Sequence, residues 1–422
     1  MTIQSPPRVG RVYWTAYTQL EGGSAPTDPL RLDMYAERLG NILLPGITNR
    51  VERLRYFGMV CAGLTLTRPP SDIADAREHA RLWRRSFLPF EAAWALANLV
   101  AVDGEIKDGP PVVERARLKP AFQGLRGANR VLAYYRTVGG HDHIKPHAYR
   151  LLKAQEAQGG LGAYLVALRS YGFVQHDRFE LTALGHDLGR AFLGNASRRA
   201  SRLLSSTAEP RRVIRSLGEA LLLTRPSRTE AAIVNNALFE DGDHVATLFK
   251  RIPVHLRSGG SAEQALARVA LANGDPLERA AHYALTFDPF RRAVLAAFVE
   301  FGRQLGGRGP SRIGDLDVAD LDRLTEEARA ASRSLADLPT VAGLEPVATV
   351  AHRVAEARSG AEAIHALVSF HHQEGRRWID VAGGDRYVLG AHGAFVSPAS
   401  TFHGYTLPSA MRVYRDTAEV LG

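Results

Sequence analysis

Residues 159–194 read GGLGAYLVALRSYGFVQHDRFELTALGHDLGRAFLG. The period of this stretch changes twice. From Tyr164 to Tyr171 apolar side chains recur at helical spacing, and Gly172 follows as a natural left-handed stop. FVQHDRFELT then alternates about a tight His176–Asp177–Arg178 turn, the pattern of a two-stranded hairpin. Thr182 stands where it caps a further helix running to Phe192. With a helix upstream, the order helix, helix, short hairpin, helix is that of a winged helix. The second helix of such a module commonly lies in the DNA major groove. Here that helix, AYLVALRSYG, offers only Tyr164, Arg169 and Ser170 as polar reach, fewer side chains than base reading uses.

Upstream, the pattern is helical from Pro29 to about Asp103. Leu32, Tyr35, Leu39, Ile42 and Leu43 recur at three- and four-residue spacing before Pro45–Gly46 breaks the chain. In ILLPGITNRVERLRYFGMV (42–60), Thr48 or Asn49 is placed to cap the next helix, whose apolar side is Val51, Leu54, Phe57 or Gly58, and Cys61. Arg50, Arg53 and Arg55 then belong to other faces, so the helical period predicts that these cations leave the core. Residues 71–88, with Ser71 as cap, and 89–104, ending at Gly104, predict a helix pair. DGEIKDGPP is a loop, and SSTAEP (205–210) reads as a linker. Downstream the chain is again helical from Arg211 to about Gly309. RRWIDVAGGDRYVLG then predicts a hairpin turning at Gly383–Gly384, and LPSAMRVYRDTAEVLG a closing helix. The fold class is mainly α, divided as an N-terminal helical domain (1–117), a winged-helix module (118–205), a helical domain (206–340) and a C-terminal helical segment with a small β-hairpin (341–422).

With 45% hydrophobic and 23% charged residues, the 422-residue chain lies in the globular range. No apolar run reaches the roughly 18 residues a membrane helix needs, and MTIQSPPRVGRVYW has no apolar signal core. A single cysteine, Cys61, excludes an internal disulfide and any multi-thiolate metal site. A cytoplasmic location is expected. The formal net charge is +9 and unevenly spread. Between Ser197 and Thr229 stand eight arginines (198, 199, 202, 211, 212, 215, 225 and 228) against Glu209 and Glu219, which is +6 of the total. Arginine's planar fork suits phosphate oxygens, and a clustered excess points to a polyanion.

Catalytic signatures are sparse. GxxxxGK[ST], GxGxxG after a strand and GxSxG are absent. GGHDHIKPH (139–147) gathers His141, Asp142, His143 and His147, ligand types for a divalent ion, but Pro146 forbids a regular helix that would aim them together. His365 and His372 are two helical turns apart, which suits a core or interface face. Asp380 and Asp385 sit on the hairpin without the lysine a magnesium nuclease would add. No cofactor is implied.

ERLGNILLPGITNRVERLRYFGMVCAGL resembles a phrase of uncharacterised bacterial proteins found near restriction and anti-phage defence genes. RRSFLPFEAAWAL, the 159–194 module, and HHQEGRRWIDV with FHGYTLPSAMRVYRD are similar to later blocks of that family. Val51 and Phe57 depart from its opening motif. The resemblance implies a companion role without catalytic residues: a nucleic-acid-contacting or scaffolding subunit beside a separate motor or nuclease. The combined expectation is phosphate contact, chiefly with duplex DNA, by Arg169, Arg178, Arg198, Arg199, Arg202, Arg211, Arg212 and Arg215, within a multi-protein complex. Two other readings stay open: a purely protein-binding adaptor, and a His/Asp metal-dependent hydrolase built on the 141–147 loop.

Overall fold

The computed structural model describes residues 28–68, 75–102, 124–138, 140–176, 180–204, 207–241, 243–271, 274–306, 308–316, 318–390 and 404–422. In chain order the first half carries α1 (Leu32–Leu43), α2 (Leu54–Leu66), α3 (Ala76–Ala101), α4 (Ala128–Val138), β1 (His143–Ile144), α5 (Gln155–Gln158), α6 (Gly160–Ser170) and α7 (Ala183–Leu193). α8 (Ser197–Ala200), β2 (Glu209–Pro210), α9 (Arg211–Ala220), α10 (Arg228–Asn235), α11 (Asp243–Arg251), α12 (Val254–Gly259) and α13 (Ala262–Val269) follow. The last part holds the long α14 (Pro276–Leu305), β3 (Ser311–Arg312), α15 (Val318–Ala336), α16 (Glu345–Glu356), α17 (Gly360–Gln373), β4 (Ile379–Gly383), β5 (Arg386–Leu389) and α18 (Leu407–Leu421). The protein is therefore mainly α. β1 pairs with β2, and β3, β5 and β4 form an antiparallel sheet in that order, with the expected turn at Gly383–Gly384.

α2 is apolar nearly all round, which is the signature of a helix enclosed on every side. Every residue from Leu54 to Leu64 is buried, and α3, α6, α7, α10 and α18 pack around it. Tyr56 stacks on Tyr164 of α6 and meets Trp94 of α3 edge-on. The helix begins at Leu54 rather than near Thr48, because its first amides find acceptors far away in sequence. Tyr164 Oη accepts from the Glu52 and Arg53 N–H groups, both at 2.9 Å, and Asp416 of α18 accepts from Leu54 N–H at 3.0 Å. Asp416 also pairs with Arg53 at 3.1 Å, so the C-terminal helix is tied to the start of α2.

Arg55 corrects the expectation that the arginines of this stretch leave the core. It is 3% exposed. Its Nη1 donates to the carbonyls of Leu222 (2.7 Å) and Arg225, and its Nη2 to those of Ala220 (3.1 Å) and Phe192 (3.4 Å). Nε stands 3.4 Å from Glu230, whose carboxylate also closes the capping box of α10 with Ser227. The guanidinium thus fills the negative end of α9 while its partner carboxylate serves the positive end of α10. Burial pushes the Arg55 guanidinium down and the Glu230 carboxyl up, and each charge opposes the other's shift.

The predicted helix pair at 71–104 is one helix. α3 runs unbroken through Pro89, and Asp75 caps it by accepting from Arg77 and Glu78 N–H. Phe87 and Phe90 on either side of Pro89 are fully buried, and the Leu88 carbonyl also accepts from Gln155 Nε2 at 3.1 Å, so packing holds the helix through the proline. Ser71, Gly104 and the DGEIKDGPP loop lie outside the described residues.

Glu91 of α3 is fully buried and accepts from the Gly160 N–H, the first amide of α6, and from Gln155 Nε2 at 3.2 Å. Burial pushes its carboxyl up to about 7, against the pull of those donors and of Arg126. At the far end, His371 of α17 donates from Nδ1 to the Pro29 carbonyl (2.8 Å) and accepts Trp378 N–H on Nε2 (2.9 Å), which requires the neutral ring. His365 bonds Tyr387 Oη at 2.9 Å, and His372 donates to the Ile379 carbonyl at 2.6 Å. These histidines dock α17 on the sheet, and Asp385 pairs with Arg312 on β3.

Two stability measurements test this architecture. Arg55→Met leaves Glu230 buried without a counter-charge, and urea unfolding should lose about 3–5 kcal/mol. Adding Glu230→Gln should restore part of that loss, because the stranded charge is then gone. For Glu91, the folded chain holds a proton between its ordinary carboxyl range near 4.5 and about 7 that the unfolded chain has released. Stability therefore falls as pH rises through that window. Glu91→Gln should exceed the wild type by an amount of order 3 kcal/mol above pH ~8, with the gap closing below pH ~5.

Candidate nucleic-acid interface

After α7 the chain winds through two short 3₁₀ turns flanking α8, Gly194–Ala196 and Ser201–Leu204, then through β2 into α9. The arginines stand out from this run because its apolar residues turn inward. Ala196, Ala200 and Leu203 are buried, whereas Arg198, Arg199 and Arg202 are exposed. On α9 (RRVIRSLGEA), Ile214, Leu217 and Gly218 face α3. A Cβ at Gly218 would stand 1.9 Å from the Ala97 carbonyl oxygen, so only glycine allows this approach. Arg55, with Trp94 Nε1 on the Leu221 carbonyl (2.8 Å) and Asn98 Oδ1 on Leu223 N–H (2.6 Å), fixes the other end of α9.

Arg199 Nη1 donates to Ser216 Oγ at 3.3 Å, joining α8 to the outer face of α9. Arg212 lies one turn before Ser216 on that face. Arg211 donates to Tyr135 Oη at 2.5 Å and lies over the same ring. Arg202 pairs with Glu209 at 2.9 Å, and Glu209 is itself 7% exposed. Arg198 and Arg212 are exposed and have no carboxylate partner among the described residues. Arg215 and Arg169 are half-buried and engaged within the protein. Arg169 lies on α6 beside Ser170, which packs against Gly46. Arg178 lies outside the described residues. The structure thus places Arg198, Arg199, Arg202, Arg211, Arg212 and Arg215 along α8, the turn after it and α9.

Residues 205–210 are not a simple linker. Their last two residues form β2, with Pro210 opposite His143 and Glu209 opposite Ile144, and Arg211 N–H donates to the Asp142 carbonyl at 2.8 Å. This pairing brings a second basic segment against the first. Residues 124–154 hold Arg126, Arg130, Arg136, Lys145, Arg150 and Lys153 against Asp142, a net of +5. Lys145, Arg150 and Lys153 are exposed and without a carboxylate partner among the described residues. The sequence signal was available: this window and 197–229 together carry +11, so the remainder is slightly negative. Tyr134 stacks on Tyr149 and donates to the Lys145 carbonyl at 2.9 Å, bracing the loop.

α6 and α7 flank an antiparallel pair in which Val174 bridges Leu181 and Gln175 N–H donates to the Glu180 carbonyl. Thr182 caps α7 by accepting from Gly185 N–H, and Gly172 takes its stop at φ +75°. Seven residues of α6 are buried, leaving Gly162, Val166, Arg169 and Ser170 toward the outside. His141 and His143 are exposed on the β1 loop. Among the described residues no three His, Cys, Asp or Glu side chains stand together as a metal-holding group, and no helix is long and apolar enough to cross a membrane. Cys61 is buried in α2, where burial pushes its thiol up and keeps it protonated. No family model matches the chain, and neither does any curated protein or solved structure.

Gly218→Ala tests how α9 is held. The Ala97 carbonyl belongs to backbone and cannot rotate away, so the helix must shift, and thermal or urea unfolding should register a loss of about 1–3 kcal/mol.

Proposed function

We propose that this protein is a non-catalytic subunit that grips the phosphate backbone of duplex DNA, within a bacterial anti-phage defence or DNA-processing complex. The observation that carries the reading is the pairing of β1 with β2, which sets two basic segments side by side with exposed cations that no carboxylate neutralises among the described residues. Phosphate contact is favoured over base reading because α6 has little exposed polar reach. Arg202 is the weaker contributor, since Glu209 already holds it. Arg198, Arg199 and Arg212 are the principal contacts, with Lys145, Arg150 and Lys153 beside them. The defence-complex setting rests on the resemblance of the LLPGITNRVERLRYFGMV and RRSFLPFEAAWAL blocks.

Anisotropy titration of a labelled duplex at about 50 and about 200 mM salt tests this. The wild type should bind at low salt and lose affinity steeply, with a log–log slope near 0.9 per phosphate neutralised. The triple variant R198E/R199E/R212E, checked for folding by circular dichroism, should bind at least tenfold more weakly and with a shallower slope. A folded wild type that ignores duplex DNA even at low salt would leave the basic face as a docking surface for an acidic protein.

A further inference from the structure

A cleft of about 270 Å³ opens beside the basic face and is lined by Arg50, Arg126, Gly127, Leu152 and Gln158. Among the described residues no carboxylate lines it, although two guanidinium groups do, and Glu37 lies within electrostatic reach of Arg50. Arg126 is held rigidly: Nη1 donates to the Gln158 carbonyl (3.3 Å), Nη2 to the Arg50 carbonyl (2.6 Å), and its backbone N–H to Tyr56 Oη (2.7 Å). Those acceptors are neutral, so they orient the cation without cancelling its charge. Its Nε–H is buried and meets no acceptor among the described residues. Arg50 is exposed, with one long bond at 3.4 Å from Nη1 to the Ala157 carbonyl. Two forked cations, one with a spare buried donor, suit an anion with several oxygens. Leu152 supplies one apolar wall.

We infer that this cleft is a site for a phosphate group carried on a small organic residue, a phosphate monoester, held between Arg50 and Arg126. The volume exceeds what a lone oxyanion fills, since a water occupies about 30 Å³ of liquid, and leaves space for the esterified part against Leu152. Burial pushes the carboxyl of Glu91, behind Arg126, up to about 7, which lessens the negative charge it sets against an anion at neutral pH. The cleft uses none of Arg198, Arg199 and Arg212, although Arg126 and Leu152 belong to the second basic segment. The monoester could be a free metabolite or the 5′-phosphate at a nucleic-acid end.

Thermal unfolding of the full chain with millimolar inorganic phosphate, using chloride at matched ionic strength as control, reads the site directly. Wild-type Tm should rise saturably by several degrees. Arg50→Ala should unfold at the wild-type temperature without phosphate and lose at least tenfold in phosphate affinity. Arg126→Gln adds a second arm, but Arg50→Ala carries the decision because Arg126 also braces the loop. A Tm that ignores phosphate, or a rise that survives Arg50→Ala unchanged, overturns the assignment. A 5′-phosphorylated single strand binding at least tenfold more tightly than its 5′-hydroxyl counterpart, with the difference lost in Arg50→Ala, supports the site and names the strand end as source. Equal binding of the two strands, with the phosphate-dependent rise intact, supports it with a free monoester as ligand.

Discussion

One guanidinium organises the N-terminal half of the molecule. Arg55 enters a core of aromatic and aliphatic side chains, where an isolated charge would be prohibitively costly. It is tolerated because four carbonyls and one carboxylate meet it there. Those acceptors belong to the end of α7, to the turn after α9 and to the start of α10, so satisfying a single side chain fixes three elements against α2. A hydrophobic residue of the same length would fill the space but would leave the last carbonyls of α9 without donors. The aromatic packing of Tyr56, Trp94 and Tyr164 then closes around this polar centre.

The same logic recurs at other junctions. Tyr164 and Asp416 cap α2 from a distance, Glu91 caps α6, and neutral His371 joins the start of α1 to the start of β4. Asp288, fully buried in α14, is met by Arg291 and Arg292, and Arg291 reaches Asp33 on α1 at 2.9 Å. Carboxylates are thus drawn inward to serve helix ends and buried arginines. Arg198, Arg212, Lys145, Arg150 and Lys153 face solvent without a carboxylate partner among the described residues, and this division makes a basic surface in a chain of modest net charge.

Helical content, the Gly383–Gly384 hairpin, the Gly172 stop and the Thr182 cap were legible in the sequence, since each depends on residues within a few positions. The clustered arginines at 198–215 were legible for the same reason. The errors share one cause. Arg55 was placed outside the core because its anchoring carbonyls lie more than a hundred residues away. A break at Pro89 is what the local sequence predicts, because the packing that carries the helix through it is not local, and the Gln155 bond to Leu88 comes from more than sixty positions away. Residues 205–210 carry only linker chemistry locally, because the strand that pairs with their end begins at His143.

The sequence by itself determined the helical class, the main turns and caps and the excess of positive charge, because helical period, turn chemistry and charge density are local. Only the tertiary structure decided which cations are held inside and which are presented, and which two basic segments meet. Whether an arginine is buried or free depends on the acceptors that folding brings to it, and those acceptors come from distant parts of the chain.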